Sequence, residues 1–109
     1  LFAQEQPSFV TGDTQNKIKF VRAENDMLVF DVQLDSLPAK PVMLSIIDED
    51  GNSIFEEWIF SANHFRRYKI VRNDMKQVTF KVSGGTFSFN RSFGINYRIE
   101  EKLEVRLVR

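Results

Sequence analysis

The chain contains no cysteine in its 109 residues, so neither a disulfide nor a thiolate metal site is open to it. Its stability has to come from packing. A single histidine, His64, stands between Asn63 and Phe65, too little for a transition-metal ligand set, and no nucleophile-elbow pattern supplies a serine for it to activate. No window approaches the ~20 apolar residues of a transmembrane helix. Charge of one sign is not in excess either: Lys plus Arg and Asp plus Glu each total 15. That balance removes the broad positive footprint of a nucleic-acid binder, even though Arg66-Arg67-Tyr68-Lys69 is locally basic.

What the chain does have is bulk for a core. It is 42% hydrophobic and 28% charged, ordinary globular values, with 11 phenylalanines as the departure. Its length suits one domain. Residues 1–16 are polar and turn-rich, with Phe9 and Val10 as the apolar anchors, and read as a flexible arm preceding a domain over 17–109. Leu1-Phe2-Ala3-Gln4-Glu5 has the apolar end and small residue of a cleaved signal peptide, which predicts a periplasmic, cell-surface or secreted protein.

From Lys17 the apolar residues recur with period two. Ile18 and Phe20 alternate with lysines, and Leu28, Phe30, Val32 and Leu34 share one face of a half-buried strand. Val42 to Ile47 is apolar on both parities, as for a central or doubly covered strand. Asp48-Glu49-Asp50-Gly51-Asn52 turns the chain into a return strand from Ser53 to Phe60, whose alternation Glu56-Glu57 interrupts; a bulge at that point would reconcile it. Phe65 to Val71 reads as a strand or short helical turn. Val78, Phe80 and Val82 lead through Gly84-Gly85 to Phe87 and Phe89, a second hairpin. Tyr97, Ile99, Leu103, Val105 and Leu107 close the chain on one parity. About seven or eight short strands without helical periodicity predict an all-β fold, an immunoglobulin-like antiparallel β-sandwich, with a closed barrel as the rival.

Three groups of residues bear on chemistry. Asp48-Glu49-Asp50-Gly51 resembles half of a calcium loop, but the glycine comes too early and a strand follows at once, so a hairpin turn is the reading. Glu56, Glu57, Glu100 and Glu101 could serve a glycosidase only if folding set two of them at the right separation. No convergent catalytic set emerges, and the expectation is a protein that is not an enzyme, without metal or cofactor. Trp58, Phe60, Tyr68 and Tyr97 are the candidate binding residues, since an aromatic platform on a sheet face stacks on sugars or anchors a protein. Core filling competes with that role and is the preferred reading for Trp58.

The apolar strand ending at Asp48, Gly51, the return strand Ile54-Phe55-Glu56-Glu57, Tyr68-Lys69-Ile70 and Thr79-Phe80-Lys81-Val82 together resemble small secreted immunoglobulin-like β-sandwich domains of Bacteroidetes. The resemblance spans Val42 to about Phe93. It implies export and a sandwich fold. Related sandwiches sort secreted enzymes from their C-terminal ends, but Gln77-Val78-Thr79-Phe80 stands where their Gly-x-Tyr strand is usual. The resulting expectation is an exported, non-catalytic binding module with an unknown protein or glycan partner. The alternatives are a carbohydrate-binding module and a C-terminal sorting domain of a larger protein.

Overall fold

The computed structural model describes residues 16–37, 41–98 and 103–108. Seven strands make up the fold: β1 (Lys17–Glu24), β2 (Met27–Leu34), β3 (Val42–Asp48), β4 (Ser53–Ile59), β5 (His64–Val71), β6 (Gln77–Gly84) and β7 (Phe87–Gly94). They form two antiparallel sheets, one ordered β1-β2-β5 and the other β4-β3-β6-β7. Among the described residues there is no helix. Apart from Asn16, the expected N-terminal arm lies outside the described residues.

Period-two burial explains the packing. On β2, Leu28, Phe30, Val32 and Leu34 are buried, and they meet Val42, Leu44 and Ile46 of β3 and Val78, Phe80 and Val82 of β6 from the other sheet. Phe30 is the hub. Its ring lies 4.9 Å from Phe80, 4.9 Å from Phe93 and 5.4 Å from Phe20, in tilted or edge-on arrangements that suit the ring quadrupoles. The two-sided apolar character of β3 follows from its place inside the larger sheet, between β4 and β6, where Met43 and Ile47 are half-buried on the outer face.

The turns carry local signatures. Asn25 adopts φ 55° between β1 and β2, a left-handed angle that asparagine tolerates. Between β3 and β4, Asp48 Oδ1 accepts from the backbone N–H of Asp50 and of Asn52, both at 2.9 Å, and Gly51 takes φ 84°. The carboxylate that suggested a cation ligand is thus holding the turn. The second hairpin turns through Gly85 and Thr86, one residue later than the Gly84-Gly85 expectation, with Gly85 at φ 60° as the first central residue. Gly84 is instead the last residue of β6, where an added Cβ would come within 2.9 Å of the Pro41 carbonyl oxygen and the Val42 side chain.

Two other details depart from expectation. The irregularity in the β3–β4 hairpin falls at Ile54, where pairing shifts from Ile46↔Phe55 to Ile47↔Ser53, and not at Glu56-Glu57. Beyond Gly94 no strand forms among the described residues, although the alternation of Tyr97, Leu103, Val105 and Leu107 predicts one. The ladder beside β6 closes with Ile95 N–H donating to the Lys76 carbonyl at 2.9 Å. Tyr97 then turns to the β5–β6 connection, its hydroxyl donating to the Met75 carbonyl at 2.8 Å, with Arg72 over its ring. Alternation marks a segment able to be a strand; it does not provide the neighbour. Ile99 and Glu100-Glu101-Lys102 lie outside the described residues.

The outer face of the smaller sheet is ionic. Val29 points outward there yet is fully buried, because its cross-strand neighbours Arg22 and Lys69 both reach Glu24, at 2.6 and 3.3 Å, and draw their aliphatic stems across it. Next to it Arg67 grips Asp31 through two hydrogen bonds, of 2.7 and 2.9 Å, and Lys19 is the other neighbour of Asp31. Arg67 accordingly holds the Asp31 carboxyl below its ordinary range. Lys17, Lys19, Arg22, Arg67 and Lys69 outnumber Asp31 and Glu24 on this face.

Candidate functional site

Pairing β3 with β4 puts Phe55, Glu57 and Ile59 opposite the buried Ile46, Leu44 and Val42, so these three face the other sheet. Glu56 and Trp58 therefore face outward. This resolves the Glu56-Glu57 ambiguity: the inward carboxylate has partners waiting on β5. The Tyr68 hydroxyl donates to Glu57 Oε1 at 3.2 Å, and Arg66 donates to Glu57 Oε2 at 3.2 Å. His64 Nε2 lies 2.9 Å from the same phenol oxygen. Since the single phenolic hydrogen is directed at the carboxylate, the imidazole must be the donor, with its proton on Nε2. Burial holds His64 below its ordinary value, consistent with a neutral ring. Burial also pushes the Tyr68 phenol up, and the adjacent Glu57 charge adds to the shift.

This His64–Tyr68–Glu57–Arg66 chain spans the open side of the sandwich, where edge strand β4 of one sheet faces edge strand β5 of the other. Phe55 covers it with an edge-on contact to Tyr68 at 5.7 Å. The Tyr68 hydroxyl, His64 Nε2, Arg66 Nη1 and both Glu57 oxygens all have partners within it, which makes it a latch between the sheets.

The four aromatic residues singled out from sequence do not form one platform. Tyr68 is a core residue, 7% exposed, because its parity on β5 is the inward one. Tyr97 is half-exposed, but its hydroxyl is tied to the β5–β6 connection. Trp58 and Phe60 are at the surface, 54% and 70% exposed, on β4 and directly after it. The expectation that Trp58 fills the core is therefore corrected: the register gives that place to Ile59.

Ile54 and Phe55, each 41% exposed, extend the apolar surface along the same strand. Sequence reasoning passed over both. The result is an edge strand on which Ile54, Phe55, Trp58 and the adjoining Phe60 reach solvent, with Glu56 and Glu57 as its only charges. The other edges are cationic, with Lys17, Lys19 and a bulge on β1, Arg66, Arg67 and Lys69 on β5, and Arg91 on β7, whereas β4, which has its own bulge at Ile54 and the inward Glu57, carries no lysine or arginine. On the opposite side of the sandwich a pocket of about 320 Å³ opens between Phe20, Leu28, Phe30, Phe93 and Ile95, lined mainly by apolar side chains.

Compared with known proteins, the chain matches no family model, no curated protein and no solved structure. Among the described residues no group of three or more His, Asp or Glu side chains is arranged to hold a metal ion, and no helix is long and apolar enough to cross a membrane.

Proposed function

We propose that this is an exported, non-catalytic binding module of immunoglobulin-like type whose partner adds along the edge of β4. The strand order supports the fold assignment. In the seven-strand constant-type arrangement, strands 1, 2, 5 and 4 form one sheet and strands 3, 6 and 7 the other. Here β4 pairs with β3 in place of β5, and every other neighbour relation is kept. The resemblance to secreted Bacteroidetes sandwiches supports export to the periplasm, cell surface or medium.

The observation that carries the binding assignment is the run of exposed apolar side chains on an edge strand free of cations, Ile54, Phe55, Trp58 and the adjoining Phe60. An exposed apolar edge strand without lysine or proline is a template for another chain, and proteins ordinarily protect such edges. Backbone groups along β4 would supply affinity, and the Trp58 and Phe60 side chains selectivity. Site-specific photo-crosslinkers at Ile54 and Trp58, compared with Lys81 and Asn90 on the same sheet, test this in envelope extracts. Crosslinked species arising from the β4 positions alone are expected; equal crosslinking from both sets defeats the assignment.

A second reading is favoured by the outer face beside Trp58. The register aligns Glu56, Ser45, Lys81 and Asn90 in a row across the sheet, a polar strip flanking an exposed indole. That is a chemistry for glycans. Titrating polysaccharides against Trp58 emission distinguishes it: a saturable blue shift favours a sugar ligand, and an unmoved spectrum favours strand addition.

A further inference from the structure

We infer that the strand received by β4 is the C-terminal segment, residues 103–108, of a second copy of this chain. The inference rests on the reading of β4 as the binding edge and names its occupant. Leu103, Val105, Leu107 and Val108 are between 86% and 92% exposed, an unusual amount of aliphatic surface for so short a segment. Leu103, Val105 and Leu107 share one parity and Glu104 and Arg106 the other, which is how a half-buried strand is written. Yet the segment pairs with no sheet in the structure. The molecule thus displays a segment with the pattern of a strand and an apolar, cation-free edge together.

The two are matched in length and chemistry. Six residues extend over about 20 Å, close to the span of the seven-residue β4. In the antiparallel register that sets Arg106 opposite Glu57, Val105 falls opposite Trp58, Leu103 opposite Phe60 and Val108 opposite Phe55. That register joins opposite charges at Arg106 and puts Leu103, Val105 and Val108 against exposed aromatics, with Leu107 beside Glu56. β4 carries acidic groups alone, so Arg106 would join Arg66 at the Glu57 carboxylate, while Glu104 falls opposite Ile59 at the end of the strand, two positions from Glu57.

Two doubly substituted chains test the inference, both altered only at exposed positions so that the sandwich is left intact. Val105→Glu with Leu107→Glu spoils the segment and leaves the edge. Ile54→Lys with Trp58→Lys spoils the edge and leaves the segment. Sedimentation velocity over a concentration series is expected to show self-association of the unaltered chain, monomers for each variant alone, and a one-to-one complex when the variants are mixed. An unaltered chain that stays monomeric at every concentration, or a mixture that forms no complex, overturns the inference. If β4-dependent crosslinking to another protein persists in that case, the binding edge survives and only its occupant was wrong.

Discussion

Tyr68 donates its phenolic hydrogen to Glu57 across the open side of the sandwich, joining β5 of one sheet to β4 of the other. Because the hydroxyl is part-buried and faces a carboxylate, ionising it would place two negative charges together. The native state therefore retains a proton that the unfolded chain gives up near the ordinary phenol value of about 10. A group raised in this way stabilises the fold below that pH and ceases to do so as pH rises through its native value. In a Tyr97→Phe background, ultraviolet titration should show no phenolate absorbance near pH 10 until the protein unfolds. Absorbance at the ordinary phenol position would remove the latch as described.

Replacing Glu57 with Ala leaves the Tyr68 hydroxyl and the Arg66 guanidinium without their acceptor. The expected loss is about 1–3 kcal/mol, read as a lower denaturation midpoint. Glu56→Ala, one residue away and facing outward, should change stability by less than about 0.5 kcal/mol. Equal effects would mean that the two carboxylates are not divided between the faces.

Acid should act in two stages. His64 is held below its ordinary value, so the unfolded chain binds a proton more readily, and its contribution is present above about pH 6.5 and lost as pH falls through the native value. Asp31, held down by Arg67, Glu24, held down by Arg22 and Lys69, and Glu49, held down by the Lys76 backbone N–H, lose theirs at lower pH still. Thermal midpoints should decline from pH 7 to 5, and His64→Gln should flatten that part of the curve. An unchanged slope in the variant would assign the decline elsewhere.

Phe30 and Trp58 make opposite predictions despite similar chemistry. Phe30→Ala opens a cavity among three other phenylalanine rings and should cost about 3–5 kcal/mol, a large part of a typical domain's stability. Trp58→Ala removes an exposed ring and should stay within about 0.5 kcal/mol, while the intact protein, at dilution where it is monomeric, should fluoresce as a solvated indole. A blue, quencher-protected emission from the monomer would place Trp58 inside.

At Gly84 the constraint is space. A methyl group there meets the Pro41 carbonyl oxygen and Val42 at 2.9 Å, so Gly84→Ala should cost about 1–3 kcal/mol in a denaturation experiment. A neutral substitution would show that the start of β3 can give way.

The sandwich itself was legible because burial with period two is written residue by residue: Leu28, Phe30, Val32 and Leu34 point inward as their alternation requires, and so do Val78, Phe80 and Val82. β4 was harder. Its alternation is disturbed by the bulge at Ile54, and Glu57 faces inward for the sake of Tyr68 and Arg66, partners that only the pairing of distant strands supplies. Working back from the buried Leu44 through the hairpin register would have found it. The segment from Leu103 to Val108 misled for the opposite reason: its pattern is that of a strand, but a sheet position also needs a free neighbour, and no residue encodes that on its own.

The ionic face of the smaller sheet has a consequence that total charge conceals. Five cations gather there against two anions, while Asp48, Glu49 and Asp50 sit together at the β3–β4 turn. A chain of zero formal charge is therefore a dipole. At low ionic strength it should be retained by a cation-exchange matrix despite its isoelectric point near neutrality, turning the same side to any polyanion it meets, and it should be released by modest salt.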